Sequence, residues 1–135
     1  MTDLQFFLPM APPTATGQMR KVRMLRGKPQ FYEPDSVQKA RLKLREALWP
    51  YRPEAPHSQG VRLLVKWIFP CPDGDGRDGQ YRTTRPDTDN LQKLLKDEMT
   101  FCGFWQDDSL VCSEIIEKFW GSTPGIFLRI EVIEP

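Results

Sequence analysis

One histidine, three cysteines and no apolar run of membrane-spanning length are found in the 135 residues of this chain. Each scarcity excludes something. A transmembrane helix needs roughly 20 consecutive apolar residues, and none is predicted here. The start has no basic region leading into an apolar signal core, so the chain is expected to be cytoplasmic. Cys71, Cys102 and Cys112 stand at no metal-ligand spacing, and their odd number argues against a disulfide framework. They are read as reduced and structural. His57 lies in the proline-containing connection 51–60 and is read as solvent-exposed rather than catalytic. No internal repeat is visible.

Net charge is also nearly absent, at +1, but the balance hides an asymmetry. Residues 1–60 hold ten Lys/Arg against five Asp/Glu, whereas residues 61–135 hold nine against thirteen. A basic front half can track phosphates while an acidic back half builds a metal site. With 39% hydrophobic and 27% charged residues, the chain has the composition of an ordinary soluble domain, long enough for one core and not two.

The pattern predicts the elements in turn. Leu4, Phe6 and Leu8 alternate into a first strand ended by Pro9. A basic arm over about 11–32 carries Arg20, Lys21, Arg23, Arg26 and Lys28, with a hairpin turn at Arg26-Gly27-Lys28. Asp35 or Ser36 can cap a helix running to Trp49 and stopped by Pro50. Val37, Ala40, Leu44, Ala47 and Leu48 form its core face, and Lys39, Arg41, Lys43 and Arg45 populate its other sides. Val61 to Phe69 reads as a central strand covered on both faces.

A flexible loop follows over about 70–84. Its Asp73-Gly74-Asp75-Gly76-Arg77-Asp78-Gly79 run resembles a calcium loop but has Thr84 at the twelfth position, so calcium binding is rejected. A helix from Asn90 to about Thr100, a strand from Leu110 to Trp120 and a last strand from Ile126 to Val132 complete the chain. The order implies a single-domain α+β fold, a mixed β-sheet packed with two main helices.

The most informative stretch is Arg85-Pro86-Asp87-Thr88-Asp89-Asn90-Leu91-Gln92-Lys93, completed by Asp107-Asp108. Clustered carboxylates with a lysine suit divalent-metal phosphodiester chemistry: oxygen ligands hold the ion and a cation meets the charge on phosphorus. An all-oxygen site suits Mg²⁺ or Mn²⁺, whereas Zn²⁺ would usually recruit Cys or His. The helix carries the chain roughly 16 Å from Asp89. Gly103 can reverse it, and an extended Phe104–Asp108 can return about 16 Å. Asp107 or Asp108 can therefore close on Asp87 and Asp89, with Lys93 on the same helical face. Asp89 with Gln92 also fits a capping box, and Lys93–Asp97 an ordinary ion pair.

These residues resemble the RusA family of Holliday-junction resolvases, typically encoded by phages and prophages. The likeness rests on the Asp87-to-Lys93 run, a helix, the Phe104-Trp105 turn and Asp107-Asp108 opening a strand. Weaker likeness extends to Pro12-Pro13, Phe31-Tyr32-Glu33-Pro34 and Lys118-Phe119-Trp120. The Gly/Asp-rich insertion before the motif departs from the family pattern, as do Lys96, Asp97 and Glu98 in the helix.

The resemblance implies a RusA-like fold and a homodimeric, Mg²⁺-dependent endonuclease that nicks four-way DNA junctions symmetrically in recombination and repair. It makes Asp87, Asp89 and Asp108 the metal ligands, Asp107 a further candidate and Lys93 the catalytic lysine. Asn90 would steady the carboxylates. Arg20, Lys21, Arg23, Arg26, Lys28, Arg85 and Lys118 are the candidate DNA contacts. A binding module without turnover and a nuclease for branched DNA in general are the alternatives.

Overall fold

A computed structural model gives the architecture and describes residues 3–16, 21–72 and 76–135, without the Lys21 side chain. Arg20, Asp73, Gly74 and Asp75, which the sequence reading singled out, lie outside the described residues. Strand β1 spans Leu4–Leu8, and a separate hairpin is made of β2, Lys21–Leu25, and β3, Lys28–Tyr32. Helix α1 covers Asp35–Leu48, β4 Val61–Pro70, α2 Thr88–Cys102, β5 Val111–Gly121 and β6 Gly125–Val132. The main sheet runs β1-β6-β4-β5, with β4 parallel to β5 and antiparallel to β6. This is the expected α+β fold with a mixed sheet and two main helices. Among the described residues no helix is long and apolar enough to cross a membrane.

Alternation along β4 builds the core. Val61, Leu63, Val65, Trp67 and Phe69 are buried, and α1 and α2 meet that face with Val37, Leu44, Leu48, Leu91, Leu94, Leu95 and Met99. Fully burying each aliphatic side chain contributes about 1.5–3 kcal/mol before chain entropy is subtracted. The opposite face, with Arg62, Leu64, Lys66 and Ile68, is only half-buried, so one side of the sheet is covered and not both. There Arg62 bonds Ser113 and Glu131, a polar arrangement that tolerates water.

The hairpin turns at Arg26 and Gly27, both with positive φ (53° and 74°). Two consecutive left-handed residues match the twist of the flanking strands. Register pairs Val22 with Phe31 and Met24 with Pro29, which gives one apolar face; Arg23 with Gln30 and Leu25 with Lys28 lie on the other. All these side chains are exposed.

Helix α1 departs from its expected ends. Pro34 is the N-cap, so Asp35 lies in the first turn rather than capping. Pro50 does not end the coiling either, because it occupies the first turn of a short 3-10 helix, Trp49–Tyr51, where a missing N–H costs nothing. Two of the four basic residues around α1 are not solvated. Arg41 reaches Glu33, Asp97 and Glu98, and Arg45 bonds Glu98 at 2.8 Å. Glu98 is 3% exposed and lies against both guanidinium groups, and the Glu33 and Asp97 carboxylates hold the Arg41 guanidinium firmly protonated. The charged departure at Lys96–Glu98 is thus an α1–α2 seam.

Candidate active site

Helix α2 is capped by Asp87 in an extended conformation (φ −75°, ψ 150°), with no side-chain capping bond. Sequence reasoning gave that place to Asp89 and a reciprocal bond to Gln92. Instead Asp89 lies within the first turn, and Gln92 is buried where its Oε1 accepts from Trp67 Nε1 at 3.3 Å. The apolar pull of the core takes Gln92 out of the capping position. Asp87 and Asp89 are both exposed at the positive end of the helix dipole, which favours negative charge. The Asn90 backbone N–H donates to Asp89 Oδ1 at 2.9 Å. Asn90 therefore touches this carboxylate through its main chain, a bond many other residues could supply.

The turn before Asp87 is tied on every carbonyl. Lys118 Nζ donates at 2.7 Å to Thr84 O and at 2.7 Å to Pro86 O. Arg82 donates to Arg85 O and, at 3.1 Å, to Thr84 Oγ1. Asp87 O accepts from Leu91 N at 3.1 Å, beginning the helix. Arg82 is held over the rings of Phe69 and Trp120, at 4.2 and 4.5 Å from their centroids. Partial burial lowers the Lys118 pKa, Arg82 lowers it further, and the Asp87 carboxylate acts in the opposite sense. Arg85 itself is exposed, and its peptide bond to Pro86 is cis.

The expected flexible loop supplies Arg82 from an anchored segment. Gly79 N donates to Trp120 O (2.8 Å), Trp120 N to Gln80 O (2.9 Å) and Arg82 N to Lys118 O (2.9 Å). Residues 79–82 thus run along the β5 edge, with Tyr81 stacked on Phe119 at 4.8 Å. Asp78 Oδ1 accepts from Ser122 N at 2.7 Å. No periodicity marks this segment, so nothing in the sequence announced Arg82.

At the other end of α2 the chain does not swing back toward Asp89. Gly103 adopts the left-handed conformation (φ 85°), and Phe104 N donates to Met99 O at 3.0 Å. Trp105 Nε1 donates to Thr100 Oγ1 at 2.7 Å, and both aromatics are buried. His57 lies between them in backbone bonding, its N donating to Phe104 O and its O accepting from Gln106 N, both at 3.0 Å. It is 2% exposed, contrary to the expectation of a solvated histidine, because the 51–60 connection packs under this aromatic turn.

Asp107 and Asp108 therefore leave from the C-terminal end of α2. Lys96 bonds Glu114 at 2.7 Å, while Lys118 reaches Thr84 and Pro86, so β5 runs from the C-terminal end of the helix toward its N-terminal end. The axis between these ends is about 20 Å long. Among the described residues no three His, Cys, Asp or Glu side chains are grouped to hold a metal ion. The oxygen donors suit a hard cation, but one chain does not assemble the full set.

Asp107 caps a short 3-10 helix, Asp108–Leu110; Ser109 N donates to it at 2.9 Å and holds its carboxyl below the usual range. Asp108 is exposed. Lys93 is 70% exposed at its side chain and pairs with Asp97 at 3.2 Å. Of the basic-arm candidates, Arg23, Arg26 and Lys28 are exposed on the hairpin, and Arg23 lies over the Tyr32 ring at 5.2 Å.

Comparison with known proteins identifies the family. The family model described as Endodeoxyribonuclease RusA matches residues 10–131. A curated relative, the crossover junction endodeoxyribonuclease rusA of Lactococcus phage r1t, is 32% identical over 110 residues, 81% of each chain. With exposed paired aspartates at the start of α2 and a match over nearly its whole length, the chain belongs to the RusA family of endodeoxyribonucleases.

Proposed function

We propose that this endonuclease is divalent-cation dependent, acts as a homodimer and resolves four-way DNA junctions by paired symmetric nicks in recombination and repair. The observation that carries the reading is the pair Asp87 and Asp89, exposed side by side on a turn whose backbone acceptors are all used. The name of the phage relative supports a crossover junction as the substrate.

Asp87 and Asp89 would hold Mg²⁺ or Mn²⁺ together with Asp108. Because Asp108 departs from the far end of α2, the third carboxylate of each site is supplied by a second copy of the chain. When bound, such a cation lowers the pKa of a water and offsets charge on the phosphate. The other tasks fall to the chain. Lys93, exposed one turn beyond Asp89, bears on the phosphorus oxygens as negative charge develops. Asp107 shapes the turn that presents Asp108. Arg23, Arg26, Lys28 and Arg85, with Arg20 and Lys21, contact phosphates. A twofold axis relates two such sites, and the products carry 5′-phosphate and 3′-hydroxyl ends.

The test incubates purified protein and Mg²⁺ with labelled four-way junction, fork and linear duplex. Symmetric nicks confined to the junction support resolution. Equal cutting of all branched forms replaces it with a broader nuclease, and binding without product with an inactive module. Cleavage that survives chelation removes the cation.

A further inference from the structure

The turn from Thr84 to Asp87 is exposed except at Pro86, yet four consecutive backbone carbonyls in it accept hydrogen bonds from the protein. Water could satisfy an exposed turn at little cost. Here two cations are partly withdrawn from water instead, and they stand close enough for Arg82 to oppose the charge on Lys118. Bringing like charges together is unfavourable, and the bonds both cations make to the carbonyls of this turn offset that cost. The bonds from Lys118 fix the peptide planes on either side of Arg85-Pro86, and the plane after Pro86 carries the Asp87 nitrogen. The direction of the Asp87 carboxylate follows from that plane.

Both cations are themselves held. Arg82 lies on Phe69 and Trp120, and its N–H bonds the carbonyl of Lys118, so the insertion and β5 lock one another. Asp78, four residues before Arg82, is in turn held by Ser122 N.

We propose that Lys118 and Arg82 are positioning residues: together they clamp the 84–87 turn and aim Asp87, with residues 79–82 supplying the second half of the clamp. This rests on the reading of Asp87 as a cation ligand. It also reassigns Lys118, since an ammonium donating to two carbonyls has little left for a phosphate.

The test compares wild type with Lys118→Met, Lys118→Arg, Arg82→Gln and, as a contrast, Arg85→Ala. Mn²⁺ affinity is measured directly by electron paramagnetic resonance of the free ion in the presence of junction. Junction affinity is measured separately without divalent cation, across a salt series. Loss of a residue that orients a ligand typically weakens metal binding about 10- to 100-fold. Lys118→Met and Arg82→Gln are expected to weaken Mn²⁺ binding at the low end of that range and leave metal-free junction affinity unchanged. Lys118→Arg, which can still donate to both carbonyls, is expected to recover most of the loss.

Arg85→Ala is expected to do the reverse, weakening junction binding with a shallower salt dependence. If Lys118→Met behaves like Arg85→Ala, Lys118 is a phosphate contact and the clamp is overturned. Unchanged Mn²⁺ binding in both clamp variants also overturns it. If Lys118→Met fails to fold, Arg82→Gln and Lys118→Arg decide by the same criteria. Wild type that neither binds Mn²⁺ nor cuts would refute the cation-dependent reading itself, a result distinct from failure of the clamp.

Discussion

The two ends of α2 are built on opposite plans. At the N-terminal end the proposed cation ligands, Asp87 and Asp89, are exposed, and order is imposed on the backbone through Lys118, Arg82 and the helix itself. At the C-terminal end Phe104, Trp105 and His57 are buried, and order comes from packing. Reactive carboxylates must stay solvated until a cation and a phosphate arrive, so burial cannot hold them. Backbone bonds can fix an exposed side chain's origin without removing its head group from water. Substitutions at the first end should therefore cost activity with little stability, and substitutions at the second should do the opposite.

The largest expected effect removes one proposed cation ligand at a time. Asp87→Asn at the first end, and Asp108→Asn on the exposed turn beyond the packed second end, should each lower cleavage by about 100-fold or more while changing stability by no more than about 0.5 kcal/mol. Their separation along α2 adds a sharper version. Mixed and re-equilibrated, the two inactive variants should form heterodimers in which one site has all three carboxylates and the other lacks two. Such heterodimers should nick a single strand of a junction. Verified heterodimers without any nicking would show that Asp108 is not contributed across the dimer.

The second end should fail thermodynamically. Trp105 is 1% exposed and donates to Thr100, so Trp105→Ala removes a large buried ring and one hydrogen bond, while the Thr100 hydroxyl keeps its bond to Lys96 O. The expected loss is about 3–5 kcal/mol in urea unfolding, with cleavage per folded molecule close to wild type. A Trp105→Ala protein of normal stability and poor activity would erase the distinction between the two ends.

Lys93 sharpens the contrast within the first end. Its pair with Asp97 is largely exposed, so Lys93→Ala should change stability by only a few tenths of a kcal/mol. Single-turnover cleavage should fall about tenfold or more. Junction affinity should change less than the rate. A defect confined to affinity would make Lys93 a DNA-positioning residue.

What the sequence disclosed follows the same division. Alternation of apolar residues placed β1, β4 and β6, the one-sided spacing of Val111, Ile115 and Phe119 placed β5, and the Arg26-Gly27 turn gave the hairpin, because these signals are local. That Asp87 and Asp89 stand at the start of a helix was legible from the apolar period that follows them. The return of Asp108 was not. Matching path lengths allowed it, but Phe104 and Trp105 lie back on Met99 and Thr100, which the spacing could not reveal. The capping box was similarly a local fit overruled by a distant partner, Trp67 taking Gln92. Sequence pattern placed Arg41 and Arg45 on the polar sides of α1 without their acceptors, because Asp97 and Glu98 lie more than 50 positions away. Arg82 and the second role of Lys118 depend on a loop crossing an edge strand, for which the sequence carries no periodic mark.

His57 offers the smallest effect and the cleanest sign. Burial lowers its pKa from the ordinary value of 6.5, and neither ring nitrogen has a hydrogen-bond partner among the described residues. The neutral ring is thus the folded form. Above pH 6.5 the imidazole is neutral whether the chain is folded or not, and it adds no pH dependence. As pH falls below that value the unfolded chain gains a proton that the folded site resists. Stability should decline by at most about 1.4 kcal/mol per pH unit until the folded pKa is passed. His57→Leu removes the titration and two unpaired nitrogens from a buried position, so the variant should lose part of the acid sensitivity between pH 6.5 and 5 without loss at pH 8. An unaltered acid slope in His57→Leu would show that the buried imidazole is not the source of that sensitivity, and that the 51–60 connection is held under the aromatic turn without any contribution from its protonation state.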